Sequence, residues 1–271
     1  MPALPQPLGK FYADRGPHLA AMIAYFALLS FVPLLFLTVS VLAIAGRPDE
    51  STFLVTELKR AFPGSSVSSI VHTVREIENH ATALGLLGGA ALLWTSLSLF
   101  SVLESAMNIV YGQPNRSFLR GKLLAVGLML LSLVTLFLGL LAGSVGFDLL
   151  KHYAGGFAGN SYVAYGLSVA VSLLAVFVFL VAVYYLLTNV EHSFADVLPG
   201  AVVAAVALEA SFQVLPLYVR FSSNVVALKA FGGPALLLVW LYVMANVMVF
   251  GAEVNWWLAA RREQEEALGL A

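Results

Sequence analysis

Six apolar runs without a single Lys, Arg or His take up more than half of this 271-residue chain: 21–45, 84–103, 123–147, 162–188, 197–219 and 231–260. A helix rises ~1.5 Å per residue and needs ~20 apolar residues to cross ~30 Å of hydrocarbon, a length every run reaches. The runs are continuous rather than alternating, which predicts helices and excludes a barrel. Hydrophobic residues make up 60% of the chain and charged ones 11%, far from the balance of a soluble domain. The expected fold is all-α: a polytopic membrane protein with one six-transmembrane-helix bundle over 21–260.

The rest of the chain is short. Residues 1–20, with Pro2, Pro5, Pro7 and Pro17, predict a poorly ordered cytoplasmic lead-in with a short interfacial helix over 8–15. The first run exceeds the 7–15 apolar residues of a signal-peptide core and reads as a retained first span. Residues 46–83 form the one sizeable loop. Two short amphipathic helices, split by Pro63 and Gly64, are expected in it, on the membrane surface or at the bundle mouth. The other connections are short, so sequential helices are expected to be antiparallel neighbours. Residues 261–271 form a tail. The dense basic cluster Arg116, Arg120 and Lys122 sits close to two span ends, where the positive-inside rule is strongest, and favours both termini in the cytoplasm.

Several chemistries are excluded. The chain has no Cys, so disulfides and thiolate metal sites are absent, and its net charge of −1 offers no basic field for nucleic acid. No HExxH, GxSxG or P-loop occurs, and no His lies within a run to act as a membrane-embedded base. The chain therefore reads as a non-enzyme without catalytic residues, cofactor or bound metal. His72, Glu76 and His80 share one face of a loop helix, but they lack a further ligand and lie on its solvated side.

What the runs do contain is acid. A carboxyl in hydrocarbon costs at least a few kcal/mol, which makes it a functional-site hypothesis by default. Glu209 is the deepest, thirteenth of 23 residues in the fifth run, on a face shared with Ala201, Ala205 and Gln213. That small, polar face predicts packing against neighbouring helices. Glu209 then either lines a path as a protonatable or cation-coordinating group, or is a neutral carboxyl hydrogen-bonded for helix packing. Glu253 shares a stripe with Asn246 in the last run, while Glu104 and Asn108 lie one turn apart where the second run ends. Glu253, Asn246 and Glu104 are expected to form a polar cluster near the cytoplasmic face, with Arg116 or Arg120 as partners, either as an acidic or hydrogen-bonded site or as a plain ion-pair network that fixes the helix ends. Pro33, Pro199 and Pro216 interrupt spans and are the candidate kinks or hinges. Gly85/Gly89 and Gly139/Gly143 match a small-xxx-small packing pattern.

Several of these segments together resemble the YihY/BrkB family of bacterial inner-membrane proteins. The matching stretches are Ala24-Tyr25 with Ser30-Phe31-Val32-Pro33, Trp94 leading to Asn108-Ile109-Val110-Tyr111, and Asp196-Val197-Leu198-Pro199-Gly200-Ala201. Near the C-terminus they are Phe231-Gly232-Gly233, Trp240-Leu241-Tyr242 and Phe250-Gly251-Ala252-Glu253-Val254-Asn255. Asn189-Val190-Glu191-His192 departs from the resemblance by lacking a basic residue. The resemblance implies six spans, cytoplasmic termini and the inner membrane. It also brings an old ribonuclease BN label, which this sequence opposes because it lacks both a metal-carboxylate cluster and a basic RNA surface. The leading expectation is a transporter or a lipid or small-solute translocator without ATPase machinery, with Glu209, Gln213, Glu253, Asn246, Glu104 and Asn108 along the path. The alternative is a non-catalytic scaffold for envelope assembly or serum resistance. Expected partners are membrane lipids and a small solute, lipid or ion as cargo, and an oligomer is compatible with the sequence.

Overall fold

The structure, a computed structural model, describes residues 6–44, 81–132, 134, 161–191, 193–222 and 226–268. Residues 46–80 of the long loop, with the expected amphipathic helices and His72, Glu76 and His80, lie outside the described residues, as do Gly139 and Gly143. Among the described residues all regular structure is helical: α1 (Pro7–Ala13), α2 (Gly16–Ile44), α3 (Ala81–Val110), α4 (118–132), α5 (Ser161–Leu187), α6 (Phe194–Ser222) and α7 (Val226–Ala267).

Four candidate spans are long and apolar enough to cross a bilayer: Leu86–Val110, Val169–Leu187, Phe194–Val214 and Leu237–Ala267. In α2 the described apolar stretch is Gly16–Phe31, while the helix itself continues to Ile44 through Pro33. Its 29 residues measure about 43 Å at ~1.5 Å per residue. The chain is a multi-pass membrane protein. Helices extend beyond the apolar runs at several ends, because backbone hydrogen bonding does not stop where hydrocarbon does. Two such extensions carry α3 from Glu104 to Val110 and α7 through Arg261 and Arg262 to Ala267.

Connectivity is up and down. The N-terminal ends of α2, α4 and α6 meet the C-terminal ends of α3, α5 and α7 at one end of the bundle, called here the tied end. α2 packs between α3 and α7, α6 packs between α5 and α7, and α5 reaches α3. The largest fully buried side chains cluster toward the tied end, among them Met107, Val110, Leu180, Tyr184, Leu187 and Val249.

The lead-in is not loosely tethered. After α1, Arg15 adopts a left-handed backbone (φ 57°) and turns the chain back on itself. The Phe11 ring then occupies the space where a Cβ on Gly16 would stand, and its edge meets Phe250 of α7 at 6.0 Å between centroids. Phe11 is therefore buried, and this apolar anchor is what the proline-rich composition concealed.

Helices α6 and α7 approach closely. A Cβ on Gly251 would stand 2.8 Å from the Ala204 Cβ and 2.9 Å from the Gly200 carbonyl oxygen, and one on Gly200 would collide with the Gly251 carbonyl. Between helices in lipid there is no hydrophobic drive to association, so close packing of small residues supplies it. The small-residue pair that does this is Gly200 and Ala204 facing Gly251. Gly89, expected from its spacing to mediate packing, has ordinary van der Waals room, with Leu37 Cδ1 3.8 Å from its would-be Cβ.

Gly251→Val should therefore force α6 and α7 apart. Overpacking of this kind costs about 1–3 kcal/mol or more, which is read as a lowered melting temperature of the detergent-solubilised protein. An unchanged melting temperature would refute the close crossing.

Candidate functional site

Membrane helices satisfy their own backbone except at their ends, where four carbonyls or four amides lack partners. At the tied end these groups and the charged side chains are paired with one another. Lys10 of α1 is central. Its ammonium bonds to Asp14 one turn on, donates to the Val110 carbonyl at the end of α3 (2.6 Å), and lies 3.1 Å from Glu253 Oε2. It also sits 4.3 Å from the centroid of the Trp256 ring, a cation–π contact. Glu253 is wholly buried (0% exposed). Its contact with Lys10 is an ion pair without hydrogen-bond geometry, and no described residue donates to Oε1.

Beside this pair, the Tyr184 hydroxyl donates to the Met248 carbonyl at 2.7 Å. Asn255, also fully buried, clamps the start of α6: its Oδ1 accepts from the Gly200 amide (2.6 Å) and its Nδ2 donates to the Val197 carbonyl (3.1 Å). Ser193 caps α6, and Asp196 reaches back to the Ser193 amide at 3.0 Å. The Ser193 hydroxyl accepts from the Ala195 amide, an N-terminal cap, and Arg262 of α7 closes it with a 2.8 Å bond to Asp196. Tyr111, just beyond α3, has its hydroxyl pKa pushed up by burial and by the nearby Asp196 and Glu253 carboxylates, so it remains a neutral phenol at physiological pH.

A second group ties α3 to α5. The Arg116 guanidinium forks onto the Leu187 and Thr188 carbonyls at the end of α5 (2.6 and 2.7 Å) and lies 3.5 Å from Glu104 Oε1. The same oxygen accepts from the Arg116 amide at 3.2 Å. Planar, five-donor Arg suits this double capping, and Lys would not reproduce it. Asn108 joins the two chain turns: its Nδ2 donates to Asn115 and its Oδ1 accepts from the Asn189 amide.

The predicted cluster is therefore two pairings, separate but adjacent. Arg116 serves Glu104 as expected, but the cation serving Glu253 is Lys10. Among the described residues Arg120 enters no ion pair. Asn246 stands apart, its Nδ2 donating to the Tyr242 carbonyl of its own helix. Lys10, Asp14, Asn255 and Tyr184 were missed. The residue signal for Lys10 was available, as one of two cations in the 8–15 segment with Arg15, but its partner is 243 positions away.

Glu209 stands alone near mid-span. It is the sixteenth residue of α6, about 22 Å from the helix start, and 7% exposed. Oε2 accepts from the Ser172 hydroxyl of α5 and Oε1 from Gln213 Nε2 one turn on, both at 2.8 Å. No basic side chain among the described residues is within ion-pair distance. Ser172 is the contact that sequence could not assign, since pairing α5 with α6 requires their relative rotation. Pro33 is buried in α2, Pro199 lies near the start of α6 beside the Asn255 clamp, and Pro216 is in the later turns of α6. No group of three or more His, Asp or Glu able to hold a metal occurs among the described residues.

Comparison with known proteins agrees on one family. Residues 8–270 match the sequence profile of the family described as virulence factor BrkB. The chain is 26% identical over 270 residues to a ribonuclease-like protein, YfkH, of Bacillus subtilis, covering 97% of each chain. It is 30% identical to a UPF0761 membrane protein of Chromohalobacter salexigens, over 94% of this chain and 63% of the relative. A UPF0761 membrane protein of Azotobacter vinelandii is 27% identical over 93% and 62%. The chain thus spans about three-fifths of the length of these two UPF0761 relatives. No solved structure matches it.

Removing one member of a buried ion pair leaves the other uncompensated, at a cost of about 3–5 kcal/mol. Lys10→Met should be destabilising on this scale, and the double variant Lys10→Met/Glu253→Gln should recover part of the loss. Thermal unfolding of the three proteins checks this. Additive losses in the double variant would show that the two side chains do not interact.

Proposed function

The chain belongs to the virulence factor BrkB family, and from that premise we propose an inner-membrane transporter or lipid or small-solute translocator that works without ATPase machinery. The observation that carries the reading is the difference among the three membrane acids. Glu104 and Glu253 each have a basic partner at the tied end. Glu209, the deepest, has among the described residues only neutral donors, from Ser172 and Gln213. An ionisable group kept at that depth with no counter-ion among the described residues favours a path over a brace.

In this reading the six apolar runs are six spans. The end holding Lys10, Arg15, Arg116, Arg120, Lys122, Arg261 and Arg262 faces the cytoplasm by the positive-inside rule. The tied end, with Glu104, Asn108 and Glu253, is the closed base. Glu209, Ser172 and Gln213 line the path above it. Pro33 and Pro216 supply flexibility in α2 and α6, while Pro199 belongs to the clamped base. Among the described residues no group able to hold a metal for phosphodiester hydrolysis occurs, and the ribonuclease-like name stays with the B. subtilis relative.

The test is flux in proteoliposomes, measured with a dithionite-quenched fluorescent phospholipid for lipid movement and with an entrapped pH-sensitive dye for ions. Wild type should pass one of these probes, and Glu209→Gln should abolish or uncouple that flux while keeping the wild-type melting temperature. Flux equal in wild type and Glu209→Gln removes Glu209 from the mechanism. Wild type inactive toward both probes would favour the scaffold, which predicts a reproducible cross-linked partner on the 46–83 loop.

A further inference from the structure

Glu253 is 0% exposed, and neither of its oxygens accepts a hydrogen bond from any described residue. A buried carboxyl in that state calls for a ligand or a proton. Its neighbours supply too little positive charge. Lys10 stands 3.1 Å from Oε2, but the same ammonium also bonds Asp14. The Asp14 carboxyl is itself within hydrogen-bonding distance of the Glu253 carboxyl. One ammonium thus faces two carboxyls. No further cation among the described residues pairs with either of them. Arg15 and His18, around the start of α2, are exposed, while Arg262 is engaged by Asp196 and Arg116 by Glu104. Tyr111, which faces both Glu253 and Asp196, is a neutral phenol.

Two carboxylates in contact are acceptors only and repel each other, so both cannot stay ionised at a buried site. A single proton resolves the contact. It turns the repulsion into an O–H···O⁻ bond and leaves one negative charge for Lys10. It also gives Glu253 the hydrogen bond it otherwise lacks. Such a proton belongs to the pair and not to either residue. A route for it exists as well. The Asp14 side chain is 24% exposed, so water at the tied end can exchange the proton while Glu253 stays sealed.

We propose that Asp14 and Glu253 bind one proton between them, and that this proton latches α1 onto α7. Releasing it to water leaves two carboxylates on one ammonium, with one uncompensated buried negative charge. Undocking relieves that charge. The α1 helix swings about the left-handed Arg15, Lys10 and Asp14 leave as their own one-turn pair, and Glu253 gains water. The docked form holds one proton more than the undocked form, so acid favours docking and alkali opposes it. The latch does not depend on the path proposed at Glu209.

The test pairs infrared and spin-label measurements on the full chain in lipid bilayers. The C=O stretch of protonated carboxyls should contain a component that Glu253→Gln and Asp14→Asn each remove and Glu209→Gln retains. Raising the pH should bleach it. Asp14 is partly exposed, so Asp14→Asn carries the test alone where Glu253→Gln fails to fold. The chain has no cysteine, so two introduced thiols define a spin-label pair. Gly9→Cys in α1 has open space at its Cβ position, and Glu263→Cys lies on the exposed end of α7. Over the pH range in which the band bleaches, the population at a longer distance should grow several-fold. Either amide variant keeps the contact without a titrating proton, so its short distance should persist over that range. A band that keeps all its components in the amide variants overturns the shared proton. A distance that ignores the bleaching overturns the latch. So does one that responds to sodium at fixed pH, which assigns the site to a metal cation instead.

Discussion

The positive charge of Lys10 is the constraint on which the tied end depends. One ammonium bonds Asp14 and the last carbonyl of α3 and also stands in ion-pair contact with the fully buried Glu253. To reach that position the chain must fold back, which requires the left-handed Arg15 and the Phe11 ring packed over Gly16. The consequence is that three elements far apart in sequence, α1, α3 and α7, are fixed at one level. Burying two charges is costly, and their mutual attraction offsets that cost only when the remaining donors are also used. Lys10 donates to Asp14 and to the Val110 carbonyl while standing 3.1 Å from Glu253, so the pair is embedded in further polar contacts rather than isolated.

The same accounting of donors and acceptors explains the rest of that end. Arg116 caps α5, Ser193 and Asp196 cap α6, and Asn255 bonds the first turns of α6 from α7. Each of these also spans two helices, so capping and helix association are accomplished by the same bonds. Close approach at Gly200, Ala204 and Gly251 is what brings Asn255 within reach of the α6 backbone. Above this level the character changes: polar groups become few, and the Glu209, Ser172 and Gln213 contact is held by neutral donors. A charge-paired base below a mid-membrane carboxyl held, among the described residues, by neutral donors alone is the asymmetry on which the proposed function rests.

Much of this was legible in the residues. The apolar runs of the second, fourth, fifth and sixth predicted spans fall in helices, because continuous hydrophobicity in lipid permits little else. Glu209 was singled out by depth, and Arg116 was named as a partner for Glu104. Harder to read were contacts that depend on rotation about a helix axis. Ser172 is one of several small polar residues in its run, and only the packing of α5 on α6 selects it. Among the described residues the tight glycine contact falls on Gly200 and Gly251 rather than on Gly89, because spacing reveals a narrow face without revealing which helix lies against it. The proline-rich lead-in concealed a docked helix for a related reason, since composition registers the prolines but not the partner that holds Phe11.

The sequence by itself determined the solvent, the helices and the residues whose burial has to be compensated. Those are properties of local hydrophobicity and of the cost of placing charge in hydrocarbon. The tertiary structure decided which compensation each acid received. Glu253 is paired across the whole length of the chain with Lys10, Glu104 with a loop arginine, and Glu209 with a serine of the neighbouring span. Such pairings depend on where antiparallel helices sit and how each is turned about its own axis, information that no single segment carries.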